Sequence, residues 1–283
     1  MLKLFRFFKY QILYLIYRNI DSALKLSSLK KNSFKKIISV IFFNNKFKVP
    51  FSISTLSAMA KLEKKNENFL IYEYLGYPNI IIDVGSNIGY WIFPLFKKFE
   101  KHIDQIFCFE PSTINFNLLK FNLSGLNKFK LNNYGLNDLN EKATLGIPIW
   151  EKRHHNTGLF SIISGNSSNF ENVTLKKFDD IFKKNFKKNF YLMKIDVEGL
   201  EHKVILGSKN FLTKNKRVAI LIELNQSIDK YTDSNIKNSL KLLSKLGYKS
   251  YILENKEFKL ISSRQLQLNI KNNVYSNHIF KNF

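Results

Sequence analysis

The stretch Ile80-Ile81-Ile82-Asp83-Val84-Gly85-Ser86-Asn87-Ile88-Gly89 constrains the fold more than any other, because an apolar run closes on a carboxylate and opens into glycines. That is how a strand of a parallel sheet runs into the helix that follows it. In an open α/β sheet ligands sit at this edge, beyond the carboxyl ends of the strands. Asp83, Gly85, Ser86, Asn87 and Gly89 are therefore expected to line a cofactor pocket. Glycine lets a ligand approach the backbone closely and adopts φ > 0 at little cost. The spacing is Gly-x-Asn-x-Gly, whereas a dinucleotide fingerprint would place glycines at positions 87 and 90, so that a pyrophosphate could reach the helix N-terminus. The chain has Asn87 and Tyr90 there. A phosphate-free nucleoside suits such a turn better, and S-adenosylmethionine is the obvious one; tight strand-to-helix packing would leave the same signature.

Gln105 to Phe109 reads as a second strand ending in Glu110-Pro111, with Glu110 placed 25 positions after Gly85. A carboxylate there can accept hydrogen bonds from a ribose diol, or it can simply favour the start of the next helix. Downstream, Tyr191 to Ile195 closes on Asp196-Val197-Glu198-Gly199, and Val218 to Ile222 closes on Glu223-Leu224-Asn225. Four strands thus end in acids. Unpaired charge is too costly inside a sheet, so these carboxylates are expected to gather at one edge.

Asp83 to Gly89, Phe109-Glu110-Pro111 with Asn115-Phe116 and Asn122, Asn133 to Asp138, and Lys194 to Glu201 together resemble the FkbM family of S-adenosylmethionine-dependent methyltransferases, over roughly residues 78 to 225. The resemblance implies an α/β fold of the class I methyltransferase (Rossmann-like) kind, with a mostly parallel sheet and helices on both faces. It also implies O-methylation of a hydroxyl on a sugar, glycan or secondary metabolite. It puts Pro111 in the cofactor site beside Glu110, and Asn133 near the adenine. Pro94 departs from a smooth helix after the glycine turn and is expected to kink it.

A length of 283 residues suits one large domain, or one domain with an appendage. Residues 1–70 read as an N-terminal helical appendage, with a short strand pair over Phe47 to Ser54 broken by Pro50, and residues 71–283 as the S-adenosylmethionine-binding domain. The formal charge of +23 would attract nucleic acid, anionic lipid or an acidic glycan, but lysines scattered through a biased composition are expected first of all to solvate the surface. A nucleic-acid methyltransferase therefore stands as an alternative, disfavoured by Asp196-Val197-Glu198-Gly199 where base-amine methylation commonly uses an Asn-Pro-Pro-Tyr type of motif. A nicotinamide-dependent oxidoreductase is a second alternative, disfavoured by the glycine spacing.

Cys108 is the sole cysteine, which excludes an intrachain disulfide and suits a reducing cytoplasm. No Cys/His cluster has zinc spacing, and no metal is expected. Met1 to Ile20 mixes Lys3, Arg6, Lys9 and Arg18 with large apolar residues, and its longest uncharged run, Tyr10 to Tyr17, falls far short of the ~20 residues of a membrane span. It reads as an interfacial helix on the inner, anionic face of a membrane, or as a segment packed on the catalytic domain.

After the second strand Ile114, Leu118 and Phe121 recur at helical spacing, with Gly125 placed to end the helix. Leu200, Val204, Gly207 and Phe211 form a stripe after Asp196. Phe129 to Asn133 is expected as a third strand, the polar stretch from Trp150 to Phe170 as a loop able to cover the acceptor, and Tyr248 to Leu253 with Glu257 to Ile261 as a final hairpin. Asp196 is expected to face the reacting centre and Glu198 to orient the acceptor. His154, His155 and His202 are further candidate bases.

Overall fold

The computed structural model describes residues 37–50, 53–64, 66–147, 161–162, 168–182, 189–223, 236–271 and 277–283. Met1 to Ile20, His154, His155, Leu224, Asn225 and most of the Trp150 to Phe170 stretch lie outside these. Strands β1 (Ile37–Phe42) and β2 (Asn45–Pro50) form a hairpin. β3 (Ile80–Val84), β4 (Gln105–Phe109) and β5 (Phe129–Asn132) follow, then a separate set of β6 (Gly135–Asn137), β7 (Glu141–Ile147), β8 (Ser161–Ile162) and β9 (Ser168–Lys177). β10 (Tyr191–Ile195), β11 (Val218–Glu223), β12 (Lys249–Glu254), β13 (Glu257–Ile261) and β14 (Asn277–Lys281) complete the order.

The main sheet has eight strands in the order β13-β12-β14-β11-β10-β3-β4-β5. β11, β10, β3, β4 and β5 are parallel, so their carboxyl ends share one edge. Strand alternation divides the core in two. Ile81, Ile106, Cys108, Leu192 and Leu221 pack on one side with the hairpin and the helices Glu67–Tyr74, Ile92–Phe99 and Thr113–Asn122. Ile80, Ile82, Val84, Phe107, Met193 and Ile195 pack on the other with helices Glu201–Gly207, Lys209–Lys214 and Ile236–Lys245. A strand covered on both faces needs no polar alternation, which is why Ile80-Ile81-Ile82 is continuous.

Several local expectations shift. The helix after the glycine turn begins at Ile92, so Pro94 sits in its first turn, where the missing N–H has no intrahelical partner to lose. No kink is required. In the helix Thr113–Asn122 the buried side is Asn115, Leu118, Leu119 and Asn122, while Ile114 and Phe121 stay exposed at 56% and 40%. The stripe after Asp196 is buried as expected but is divided between two helices that meet at Ser208. At its break a Cβ on Gly207 would lie 1.9 Å from the Asn137 carbonyl oxygen. The strand pair placed over Phe47 to Ser54 lies earlier, with Pro50 ending β2 opposite Ile37. The β12–β13 hairpin forms, yet β14 inserts between β12 and β11. The four-stranded sheet β6-β9-β7-β8 was not anticipated.

Among the described residues no helix is long and apolar enough to cross a membrane. Nor does any group of three His, Cys, Asp or Glu side chains among them assemble as a metal site.

Candidate active site

The turn after β3 is left-handed at Gly85 (φ 81°), Asn87 (φ 50°) and Gly89 (φ 88°). Asparagine is among the few residues that accept this region. The turn is tied to β4 by the Gly85 and Ser86 N–H groups, which both donate to the Phe109 carbonyl at 3.0 Å. Glu110 then clamps it: Oε2 accepts from the Asn87 N–H at 2.8 Å and Oε1 from the Ser112 N–H at 3.0 Å. Burial pushes the Glu110 carboxyl up to about 7, against the pull of those two N–H donors. Asn133, exposed, donates its amide to the Glu110 and Pro111 carbonyls at 3.0 and 3.1 Å. The structure thus brings Gly85, Ser86, Asn87, Gly89, Glu110, Pro111 and Asn133 together at one edge.

A second tie comes from the hairpin. The Asn122 side chain accepts from the Lys48 N–H at 2.7 Å and donates to the Lys48 carbonyl at 3.1 Å and the Ile88 carbonyl at 2.9 Å. It pairs with β2 as a neighbouring strand would, while holding the glycine turn.

Register places Cys108, Asp83 and Lys194 side by side on β4, β3 and β10. All three are buried. Cys108 is an apolar filler whose thiol burial pushes well above its ordinary range. Asp83, expected to line the pocket, is fully buried beneath the turn instead. Among the described residues neither of its carboxylate oxygens finds a hydrogen bond. Its cation is Lys194, with Nζ at 3.6 Å from Asp83 Oδ1, 2.9 Å from Asp196 Oδ2 and 3.3 Å from the Gly85 carbonyl. Trp91 covers the ammonium, its ring centroid 5.5 Å away. Burial alone would lower the Lys194 ammonium, but Asp196 and Asp83 overcome it and hold it above its ordinary value. Burial likewise raises the Asp83 carboxyl, with Lys194 opposing.

Lys194 had no role in the sequence reading. The signal available was a lysine inside an otherwise apolar strand, Tyr191-Leu192-Met193-Lys194-Ile195, which implies a buried carboxylate on a neighbour.

Asp196 follows β10 and keeps 28% of its side chain exposed, so of the acids around Lys194 it is the one open to a ligand. Its carbonyl oxygen would stand 1.9 Å from a Cβ at Gly85, so only glycine lets the two strand ends approach this closely. Glu198 (φ 55°) and Gly199 (φ 101°) bend the chain into the next helix. A left-handed glutamate is the kind of backbone strain that collects at functional turns. Glu201, buried, accepts from the Val197 and Gly199 N–H groups at 3.3 and 3.1 Å and braces this turn. Burial pushes its carboxyl up to about 7 as well. His202 is buried with its pKa lowered by burial, and its Nδ1 has no hydrogen bond among the described residues.

Two glycine-containing turns meet at neighbouring strand ends, with carboxyls beside each, over one continuous segment. That segment, residues 83–250, matches the Methyltransferase FkbM domain. The chain belongs to this family. With its mostly parallel sheet covered by helices on both faces, the chain is an α/β methyltransferase domain of this family. Among solved structures, the chain is similar to an FkbM methyltransferase from Methylobacillus flagellatus at 14% identity and TM-score 0.45, covering 83% of this chain and 56% of that one. The chain therefore spans little more than half the length of that relative. It is also similar to precorrin-6y C5,15-methyltransferase from Geobacter metallireducens (9% identity, TM-score 0.40, covering 76% of this chain and 86% of that one). A third is TYW2 of M. jannaschii in complex with AdoMet, at 12% identity and TM-score 0.39, covering 87% and 84%. No protein with a curated description matches the chain.

Proposed function

We propose that this FkbM-family chain is an S-adenosylmethionine-dependent O-methyltransferase whose acceptor is a hydroxyl of a sugar, glycan or secondary metabolite, working in the cytoplasm. The observation that carries the donor part of this reading is the charge balance at the strand ends. Asp83 and Asp196 both engage the buried Lys194 ammonium, and Glu110 adds a third carboxyl at the neighbouring strand end. An edge of that kind favours a cationic, phosphate-free nucleoside and opposes a pyrophosphate. A larger thermal shift with S-adenosylmethionine than with NADH would support it; the reverse would favour an oxidoreductase.

The bound donor supplies a methyl group activated by its sulfonium. In this reading Glu110 accepts hydrogen bonds from the ribose hydroxyls, Asn133 lies beside the adenine, and the backbone of the Gly85–Gly89 turn meets the rest of the donor. Asp196 would face the acceptor and accept the proton of its hydroxyl as the hydroxyl oxygen bonds to the methyl carbon and the methyl carbon–sulfur bond breaks, leaving the donor as a neutral thioether; Lys194 would hold Asp196 in place. Glu198 orients the acceptor. Asp83 acts through Lys194 and touches neither partner. Residues 71–283 would constitute the methyltransferase unit and 1–70 its appendage, in contact with the inner membrane face through the basic N-terminus.

The acceptor can be found by mass spectrometry of cell glycans and small metabolites with and without the protein, seeking the loss of one methyl group. With it in hand, Asp196→Asn is expected to lower kcat by about 10²–10⁴, the usual contribution of a positioned base, with donor binding largely kept. Undiminished turnover would remove Asp196 from the mechanism.

Glu110→Gln is expected to weaken donor binding about ten- to a hundredfold, the value of charge-assisted hydrogen bonds. In the native chain donor affinity should fall as pH drops through about 7, where Glu110 takes up its proton, while the variant's affinity stays flat. Calorimetric titration across this range checks both. Stability moves the opposite way. The folded pKa of Glu110 and of Glu201, about 7, lies above the ordinary 4.5. The folded chain therefore binds those protons more tightly, and the stability they contribute is complete below 4.5 and lost as pH rises through 7.

A further inference from the structure

We infer that the outer face shared by the β1–β2 hairpin and the helix Thr113–Asn122 docks on an anionic lipid surface. Pairing sets Ile41 opposite Lys46 and Ser39 opposite Lys48, so these four side chains share one side of the hairpin. Ile41 is 45% exposed, and Lys46 is exposed beside it. Lys48 reaches the helix, its Nζ lying 4.0 Å from the centroid of the Phe121 ring. Phe121 and Ile114, both exposed, stand two helical turns apart. The result is a face of isolated large apolar groups alternating with lysines.

Neither the hairpin, residues 37–50, nor the helix contains an acid. Among the described residues, the bordering carboxylates Glu63 and Glu171 are both occupied by hydrogen bonds. Glu63 accepts from the Phe43 N–H at 2.7 Å, and Glu171 accepts from the Ser112 hydroxyl at 2.8 Å and the Thr113 N–H at 2.5 Å.

Charge selects among occupants. Residues 1–36 hold nine Lys and Arg against Asp21 alone, so this segment is repelled by the lysines of the face. A second copy would bring lysines against lysines. Nucleic acid would satisfy the charge but leaves Ile41 and Ile114 without a function, since aliphatic side chains offer no stacking surface. An anionic membrane accepts both kinds of group, with ammoniums at the phosphates and Ile and Phe among the upper acyl chains. None of this depends on which hydroxyl is methylated.

The test is flotation of the full chain with phosphatidylcholine vesicles, with and without phosphatidylglycerol as a third of the lipid, at low and high salt. The native chain should float only with phosphatidylglycerol, and less so at high salt. Ile41→Glu combined with Lys46→Glu should weaken this binding by about tenfold or more, with the thermal shift on S-adenosylmethionine unchanged. If that pair loses the thermal shift, Ile114→Glu with Phe121→Glu is read instead, on the helix alone. Absence of binding overturns the inference, as does equal binding to pure phosphatidylcholine, or binding that survives both pairs of substitutions. A native dimer that the substitutions convert to monomer would assign the face to a second copy. Loss of single-stranded RNA binding without any lipid binding would assign it to nucleic acid.

Discussion

Lys194→Met is expected to cost the folded state about 3–5 kcal/mol at neutral pH, the usual penalty for removing one partner of a buried ion pair. The residue left behind decides the size. Asp83 is fully buried and, among the described residues, neither of its oxygens accepts a hydrogen bond, so without the ammonium its charge loses its main offset. Burial already raises the Asp83 carboxyl, and Lys194 is the main opposing influence. In the variant that opposition is gone. With a folded pKa above the unfolded one, the carboxyl's penalty is present at high pH and relieved as pH falls through the folded value, so the deficit should shrink from neutral to acid pH. Urea unfolding across that range measures it. Asp83→Asn together with Lys194→Met should recover most of the loss, because replacing both partners is often near neutral. A double variant no better than the single would mean that Lys194 acts mainly through Asp196.

Gly85→Ala is the second large effect, at about 2–5 kcal/mol. One part is conformational: an L-residue at φ 81° costs about 1–2 kcal/mol. The other is steric, since the new Cβ would lie 1.9 Å from the Asp196 carbonyl oxygen, a backbone atom that no rotamer change can move. Forcing atoms into a packed interior adds about 1–3 kcal/mol. Gly76→Ala is the control, because φ there is 79° and nothing lies within 4 Å of the added carbon. It should show the conformational part alone and keep its donor affinity, whereas Gly85→Ala should lose binding as the Gly85–Gly89 turn proposed to meet the donor is displaced. Unfolding curves and donor titrations on the pair separate the two parts. Equal losses would mean that the contact relaxes freely.

The parallel core was legible in the sequence because its signals are strong and local. β3, β4, β10 and β11 are apolar runs that stop at a carboxyl, and each stands close to where that pattern puts it. What escaped depends on pairings distant in the chain. β14 pairs with β11 and β12 across intervening segments, and nothing in Asn277–Lys281 distinguishes an inserted strand from an edge. Among the described residues the small sheet's own core is Leu145, Val173 and Leu175, too few for a clear alternation in β7 or β9. Ile114 and Phe121 misled because apolar residues two helical turns apart mark a face without telling whether it turns inward. Within the site, the acids at the strand ends could be read singly. That Asp83 serves Lys194 could not, since their adjacency is a matter of register between strands 111 positions apart.

Asn122 links what the chain order keeps apart. Its amide joins Lys48, 74 positions earlier, to Ile88, 34 positions earlier. The hairpin and the glycine turn therefore share one fulcrum, and any free energy exchanged across it is reciprocal. Whatever quiets the glycine bend when a ligand arrives must quiet the hairpin to the same degree, and a surface gripping the hairpin would in turn pre-shape the bend for its ligand.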